Sequence, residues 1–162
     1  MALTGATVEM VAHGLITGAL FLISGSILDR GHTYELDAYG GLAARAPVMT
    51  LCTTIAAFAS LGLPGLAGFV AEFQVFTGTL SVYPWLAGIG LVGIVITAAL
   101  FLRMLQQLFL GPLPEQWNGW RDLTPIETGG LGVLLLFVIV IGVAPAWLLD
   151  AIDTAAGPLV GR

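Results

Sequence analysis

Ser60-Leu61-Gly62-Leu63-Pro64-Gly65-Leu66-Ala67-Gly68-Phe69-Val70-Ala71-Glu72-Phe73 has the composition of a membrane helix, yet it is interrupted by three glycines and a proline and carries one carboxylate. Pro64 lacks an N–H and clashes with the preceding turn. Gly62, Gly65 and Gly68 weaken the same turn further. The stretch predicts a helix broken over Gly62–Gly68. Unpaired backbone is costly in hydrocarbon, so such a break must face protein or water. In transporters, interrupted helices commonly line ion pathways.

Working outward, the chain around this stretch is built for lipid. Hydrophobic residues make up 57% of its 162 residues and charged residues only 9%. A soluble domain carries about 25% charged residues. A membrane helix needs about 20 apolar residues, and the apolar runs give four spans, over about 3–28, 46–79, 85–110 and 126–149. The expected fold is an all-α integral membrane protein with four transmembrane helices, the second discontinuous at Gly62–Gly68, forming a single membrane domain over 1–162. The N-terminus lacks the basic segment and cleavage site of a signal peptide, so the first span is expected to serve as its own insertion signal.

Charge placement gives the orientation. Arg30 and Arg45 lie between spans one and two, and Arg103 and Arg121 flank the loop between spans three and four. Basic loops stay in the cytoplasm. Both termini are therefore expected on the non-cytoplasmic side, where Arg162 is the one base. The arginines read as interfacial anchors. Trp117 and Trp120 read as headgroup-level aromatics, in a segment over 111–125 that is expected to lie flat on the membrane. Asp29, Glu35, Asp37, Glu115 and Asp122 read as solvated loop carboxylates. Gly14 and Gly18 form a small-xxx-small pair, and the glycines at 88, 90, 93, 129, 130 and 132 suit close helix packing.

Three residues are candidates for a proton pathway. Glu72 stands about two turns past the break in an otherwise uncharged stretch. Acidic groups at membrane depth are rare, face inward and often relay protons. A carboxyl whose proton affinity responds to a movable partner can take up and release protons. His13 titrates near neutrality, which suits a relay. Glu9 shares a helix face with His13 at i, i+4 spacing, although its place near the outer end favours a headgroup-level residue. No zinc spacing, nucleophile elbow or dinucleotide fingerprint occurs. Catalytic, metal-binding and cofactor-binding residues are therefore not expected in this chain. With no basic stripe, nucleic-acid binding is not expected, and Cys52 reads as a small buried residue.

Met10-Val11-Ala12-His13-Gly14, Ala19-Leu20-Phe21-Leu22-Ile23-Ser24-Gly25, Arg30-Gly31-His32-Thr33 and Tyr39-Gly40-Gly41-Leu42 resemble the eleventh helix and following loop of the antiporter-like subunits of complex I. Leu61-Gly62-Leu63-Pro64-Gly65 and Gly68-Phe69-Val70-Ala71-Glu72-Phe73 are similar to that family's broken twelfth helix. Spans three and four match helices thirteen and fourteen in pattern only. The resemblance implies proton translocation in the membrane arm of a proton-pumping NADH:quinone oxidoreductase, in a multi-pass chain of a bacterial plasma membrane. Glu72 matches the glutamate of the M (chain 4) type, and His13 matches the histidine of the eleventh helix. The partners implied are other membrane-arm subunits, including a chain supplying the first ten helices, with quinone and NADH reached only through other subunits. Glu9 departs from the pattern, where an uncharged polar residue is commoner. Other readings are a subunit of a multisubunit cation/proton antiporter or membrane-bound hydrogenase, or a non-conducting membrane scaffold.

Overall fold

A computed structural model describes residues 2–156; Arg162, used above for orientation, lies outside them. Six α-helices follow one another, with short 3-10 turns in two loops and no strand among the described residues. They are α1 (Ala2–Gly31), α2 (Pro47–Ser60), α3 (Ala67–Leu80), α4 (Pro84–Phe109), α5 (Pro125–Val143) and α6 (Ala146–Ala156). Helices α1, α4 and α5 are long and apolar enough to cross a membrane unaided. Helices α2 and α3 have 14 residues each, about 21 Å at helical rise, which is short of the roughly 30 Å hydrocarbon core. The expected fourth span ends early. Ala144 leaves helical geometry ahead of Pro145, and α6 begins afresh at Ala146.

Helix α1 is the axis of the bundle, packing against α2, α3, α5 and α6. Its buried side passes three clusters in turn. Near its C-terminus, Ile23 and Ile27 meet Leu42, Met49, Phe109 and Leu131. Midway, Ala12 and Ile16 meet Ala59, Ala67, Val138 and Ile141. Near its N-terminus, Val8 meets Val70, Ala71 and Ile152. Small residues set the closest approach, as expected where packing rather than water expulsion holds helices together. A Cβ on Gly5 would lie 2.8 Å from the Val75 backbone nitrogen, and one on Gly78 would lie 2.8 Å from the Ala2 Cβ. Gly14 and Gly18 do not serve this contact: Gly14 faces open space, and a Cβ on Gly18 would come no nearer than 3.9 Å to Leu134.

The loops at the C-terminal end of α1 fold onto each other rather than spreading along a surface. Tyr39 stacks on Trp117 at 5.5 Å, and Trp117 meets Trp120 edge-to-face at 5.2 Å. The Trp117 indole N–H donates to the Ala38 carbonyl at 2.8 Å. Trp120 is only 8% exposed. The segment expected to lie flat, with its tryptophans at headgroup level, is thus tied to the 32–46 loop by aromatic contact.

Two carboxylates, one read as solvated and one given no role by the sequence, lock this end. Asp122, read above as solvated, accepts from the Val48 N–H at 2.8 Å and the Met49 N–H at 3.0 Å. It thereby caps α2, whose own N-cap residue Ala46 offers no side-chain acceptor. Glu127 closes a capping box with Thr124 at the start of α5. It also takes a two-pronged contact from Arg30, at 2.9 and 2.7 Å, and the Ser26 hydroxyl at 2.7 Å. Arg30 is therefore a fixed cross-link between α1 and α5 rather than a free anchor. The paired side chains are 17% and 27% exposed. A planar, two-pronged contact of this kind is stronger than an ordinary surface pair. Glu127→Gln removes the charge that Arg30 is held against. The loss should be about 1–3 kcal/mol, read as a lower thermal midpoint in detergent, with Asp122→Ala costing about 1 kcal/mol through the lost cap.

Candidate functional site

The junction of α2 and α3 is closed by its own backbone. Gly62 takes a left-handed conformation, φ +62°. The Gly62 N–H donates to the Ala59 carbonyl at 3.3 Å, and the Leu63 N–H donates to the Phe58 carbonyl at 3.2 Å. These two bonds form a Schellman motif. Pro64 follows where the chain has already left the helix, so glycine stops α2 and proline keeps it stopped. Leu66, extended at φ −120° and ψ 155°, precedes α3 with no side-chain cap.

Glycine lets other groups come onto this turn. A Cβ on Gly62 would collide with the Glu72 carboxyl, which rests against that residue's backbone. A Cβ on Gly68 would collide with the Ala59 carbonyl, so the first turn of α3 sits directly on the last turn of α2. From the other side, α5 touches the junction at Gly142, where a Cβ would collide with the Gly65 carbonyl and Leu66 Cα. Gly142 was not singled out by sequence. One glycine among 22 in an apolar run carries no mark of close approach.

The three ionisable candidates are placed differently. Glu72 is partly buried on α3, one turn and a half into that helix. Glu9 is partly buried on α1, the helix that packs against α3. His13 lies on the exposed side of α1. The structure thus brings Glu72 onto Gly62 at the junction, with Glu9 on the neighbouring helix and His13 one helical turn further along it, turned outward. Thr4 and Asp153 add a hydrogen bond of 2.7 Å between α1 and α6 near the same end. No group of three or more metal-ligating side chains occurs among the described residues.

The Glu72 carboxyl is thus seated on the Gly62 backbone where α2 ends. Gly62→Ala tests the seat. It should cost about 1–2 kcal/mol in left-handed strain and displace Glu72. Gly65→Ala, at φ +93° with open space around it, carries backbone strain but should leave Glu72 where it is. Infrared spectra of the Glu72 carboxyl should shift in the first variant and not in the second.

The matches to known proteins agree on one kind of chain. Residues 1–97 match the family described as NADH:quinone oxidoreductase/Mrp antiporter, transmembrane. NAD(P)H-quinone oxidoreductase chain 4 of Synechococcus sp. (strain WH7803) is 37% identical over 98% of this chain, and 31% of its own length is covered. NADH-quinone oxidoreductase subunit M of Rhodobacter capsulatus is 37% identical over 96% of this chain, again with 31% of its length covered. Among solved structures, a chain of respiratory complex I from Thermus thermophilus with bound NADH superposes over 98% of this chain. Its TM-score is 0.87 at 32% identity, and 34% of that chain is covered. A chain of the membrane-bound sulfane sulfur reductase, an archaeal respiratory membrane complex, superposes over 88% of this chain. Its TM-score is 0.83 at 28% identity, with 24% of that chain covered. The present chain therefore spans about a third of the length of the curated relatives it matches.

Proposed function

Because this chain belongs to the NADH:quinone oxidoreductase/Mrp antiporter transmembrane family, we propose that it is part of the proton-translocating membrane arm of a complex I-like oxidoreductase. In this reading α2 and α3 make one interrupted crossing, so the chain crosses four times, with α6 extending past α5. The Glu72 carboxyl resting on Gly62 is the observation that carries the proposal. At that seat a carboxylate stands beside backbone freed from helical pairing, where water can reach it without entering lipid-facing surface. Glu9 supplies a second charge close by. A carboxyl held partly out of water responds strongly to each charge that arrives or leaves. Charge movement in a neighbouring subunit would thus load and unload Glu72, with Glu9 and His13 as the next carriers along α1.

The chain carries no redox chemistry in this reading. NADH and quinone act on other subunits, and their oxidation reaches this chain only as a shift in local charge. Its surroundings are the lipid of a bacterial plasma membrane and further membrane-arm helices, with both termini on the non-cytoplasmic side. The superposition on the archaeal sulfane sulfur reductase complex supports a second reading, in which the same proton-handling piece serves a different redox module. Multisubunit cation/proton antiporters and membrane-bound hydrogenases are variants of that alternative, and a non-conducting scaffold is the remaining one. Co-purifying NADH-oxidising iron–sulfur subunits would favour the first reading, and their absence from an intact complex would favour the second.

Glu72→Gln keeps the size and polarity of the side chain and removes its exchangeable proton. In inverted membrane vesicles the variant complex should assemble and transfer electrons, while proton uptake per NADH oxidised falls. Unchanged proton uptake would leave the scaffold reading standing.

A further inference from the structure

The last expected span is interrupted as well, and its interruption lies against the first one. Helix α5 ends at Val143, Ala144 leaves helical geometry at φ −131° and ψ 65°, and Pro145 supplies no N–H. The carbonyls of Ile141, Gly142 and Val143 receive no backbone N–H among the described residues. The ladder that would make α5 and α6 one rod is therefore absent, and a helix bends where proline breaks its ladder. Gly142 rests on the Gly65 carbonyl and the Leu66 Cα, so the two breaks stand at one level.

From that level α6 runs along α1 toward the N-terminal end of that helix. Leu148 reaches the cluster of Ala12 and Ile16, and Ile152 reaches that of Val8. Two close contacts between α1 and α3, Gly5 against Gln74 and Val75 and Gly78 against Ala2, fix an antiparallel register. In that register Val8 and Glu9 stand level with Ala71 and Glu72. Ile152, 9% exposed, packs with Val8, Val70 and Ala71, among them the chain neighbours of both carboxyls. A charge in such a layer has neither water nor a polar partner, so protons do not cross it while it is closed. One turn beyond Val8, the buried Thr4 hydroxyl donates to Asp153 at 2.7 Å. This is the only side-chain hydrogen bond that joins α6 to another helix among the described residues.

We propose that α6 is a hinged cover over the outer side of the Glu72 seat, turning about Ala144–Pro145, with Ile152 as its seal and the Thr4–Asp153 hydrogen bond as its latch. With the latch closed, Ile152 keeps water on that side from Glu72. When α6 swings away, Ile152 leaves Val8 and Ala71, and water reaches the carboxyl to carry its proton out. One hydrogen bond breaks and re-forms at small cost, which suits a cover that must open in every cycle. The hinge lies two residues beyond Gly142, which touches the turn that seats Glu72. The inference rests on the proton-translocation reading above and adds the element that controls exchange on one side.

Cross-linking tests it in the assembled complex. Thr4→Cys with Asp153→Cys is made in the whole polypeptide together with Cys52→Ala. Cells are treated with a short, reducible bis-thiosulfonate reagent before inverted vesicles are prepared. Proton uptake per NADH oxidised is read before and after a permeant reductant. The bridged variant should fall to the level of Glu72→Gln, measured in parallel, and recover on reduction. Each single-cysteine variant, given the same reagent, should keep its untreated value. Gly18→Cys with Leu134→Cys ties α1 to α5 short of the hinge, where a Cβ at Gly18 lies 3.9 Å from the Leu134 Cδ1. That bridge should change nothing.

Unchanged uptake in the bridged α6 variant, with Glu72→Gln lowered, would overturn the cover and leave the translocation reading standing. Unchanged uptake in both would overturn both. A bridged loss without a Glu72→Gln loss would mean that α6 covers some other route, and the cover over Glu72 would fall. A loss that reduction does not restore, or an equal loss with the bridge from α1 to α5, would be damage to packing and would overturn it too.

Discussion

Everything in this bundle answers to one requirement: a peptide group held away from water has to find its hydrogen bond inside the protein. Between α2 and α3 the helical ladder stops, and the requirement is met locally by the two bonds that close over Gly62. That closure allows two short helices to stand end to end. It also explains the density of glycine around it. Gly68 lets the first turn of α3 sit on the Ala59 carbonyl, and Gly142 lets α5 press against Gly65. Larger side chains there would push the pieces apart and strand polar backbone in an apolar setting.

The far end of the bundle obeys the same rule with side chains in place of backbone. The opening turn of α2 has no acceptor of its own and takes one from Asp122. The opening turn of α5 is closed by Thr124 and Glu127. Glu127 then neutralises Arg30, so one carboxylate both ends a helix and joins two of them. The aromatic stack of Tyr39, Trp117 and Trp120 fills the space beneath. One end of the molecule is fastened by charge and rings, whereas the middle relies on close backbone contact.

The parts readable from sequence were those whose physics is local. Pro64, which cannot continue a helix, and its glycines, whose backbone freedom weakens one, marked the stretch where α2 stops and α3 begins. Glu72 stood out because a charge in an apolar run is conspicuous by itself. The same isolation drew attention to His13, but its outward direction could not be read, since that depends on which side of α1 the other helices choose. Asp122 looked like any loop carboxylate, because its partners lie in a helix more than seventy residues earlier. Glu127 was passed over although Thr124-Pro125-Ile126-Glu127 is a local capping-box pattern; its pairing with Arg30 and Ser26, 97 and 101 residues earlier, was out of reach. Gly142 was one small residue among many until the turn at Gly65 came to rest on it. Tertiary proximity, rather than residue type, gives these last three their roles.

The cap on α2 also imposes an order on biogenesis. Ribosomes deliver the chain from its N-terminus, so α2 enters the membrane long before residue 122 has been made. Until then the N–H groups of Val48 and Met49 must be served by water at the bilayer surface, or that turn stays frayed. The opening turn of α2 is therefore capped only after the loop ahead of α5 has been made and folds back onto it, so a later segment completes an earlier helix.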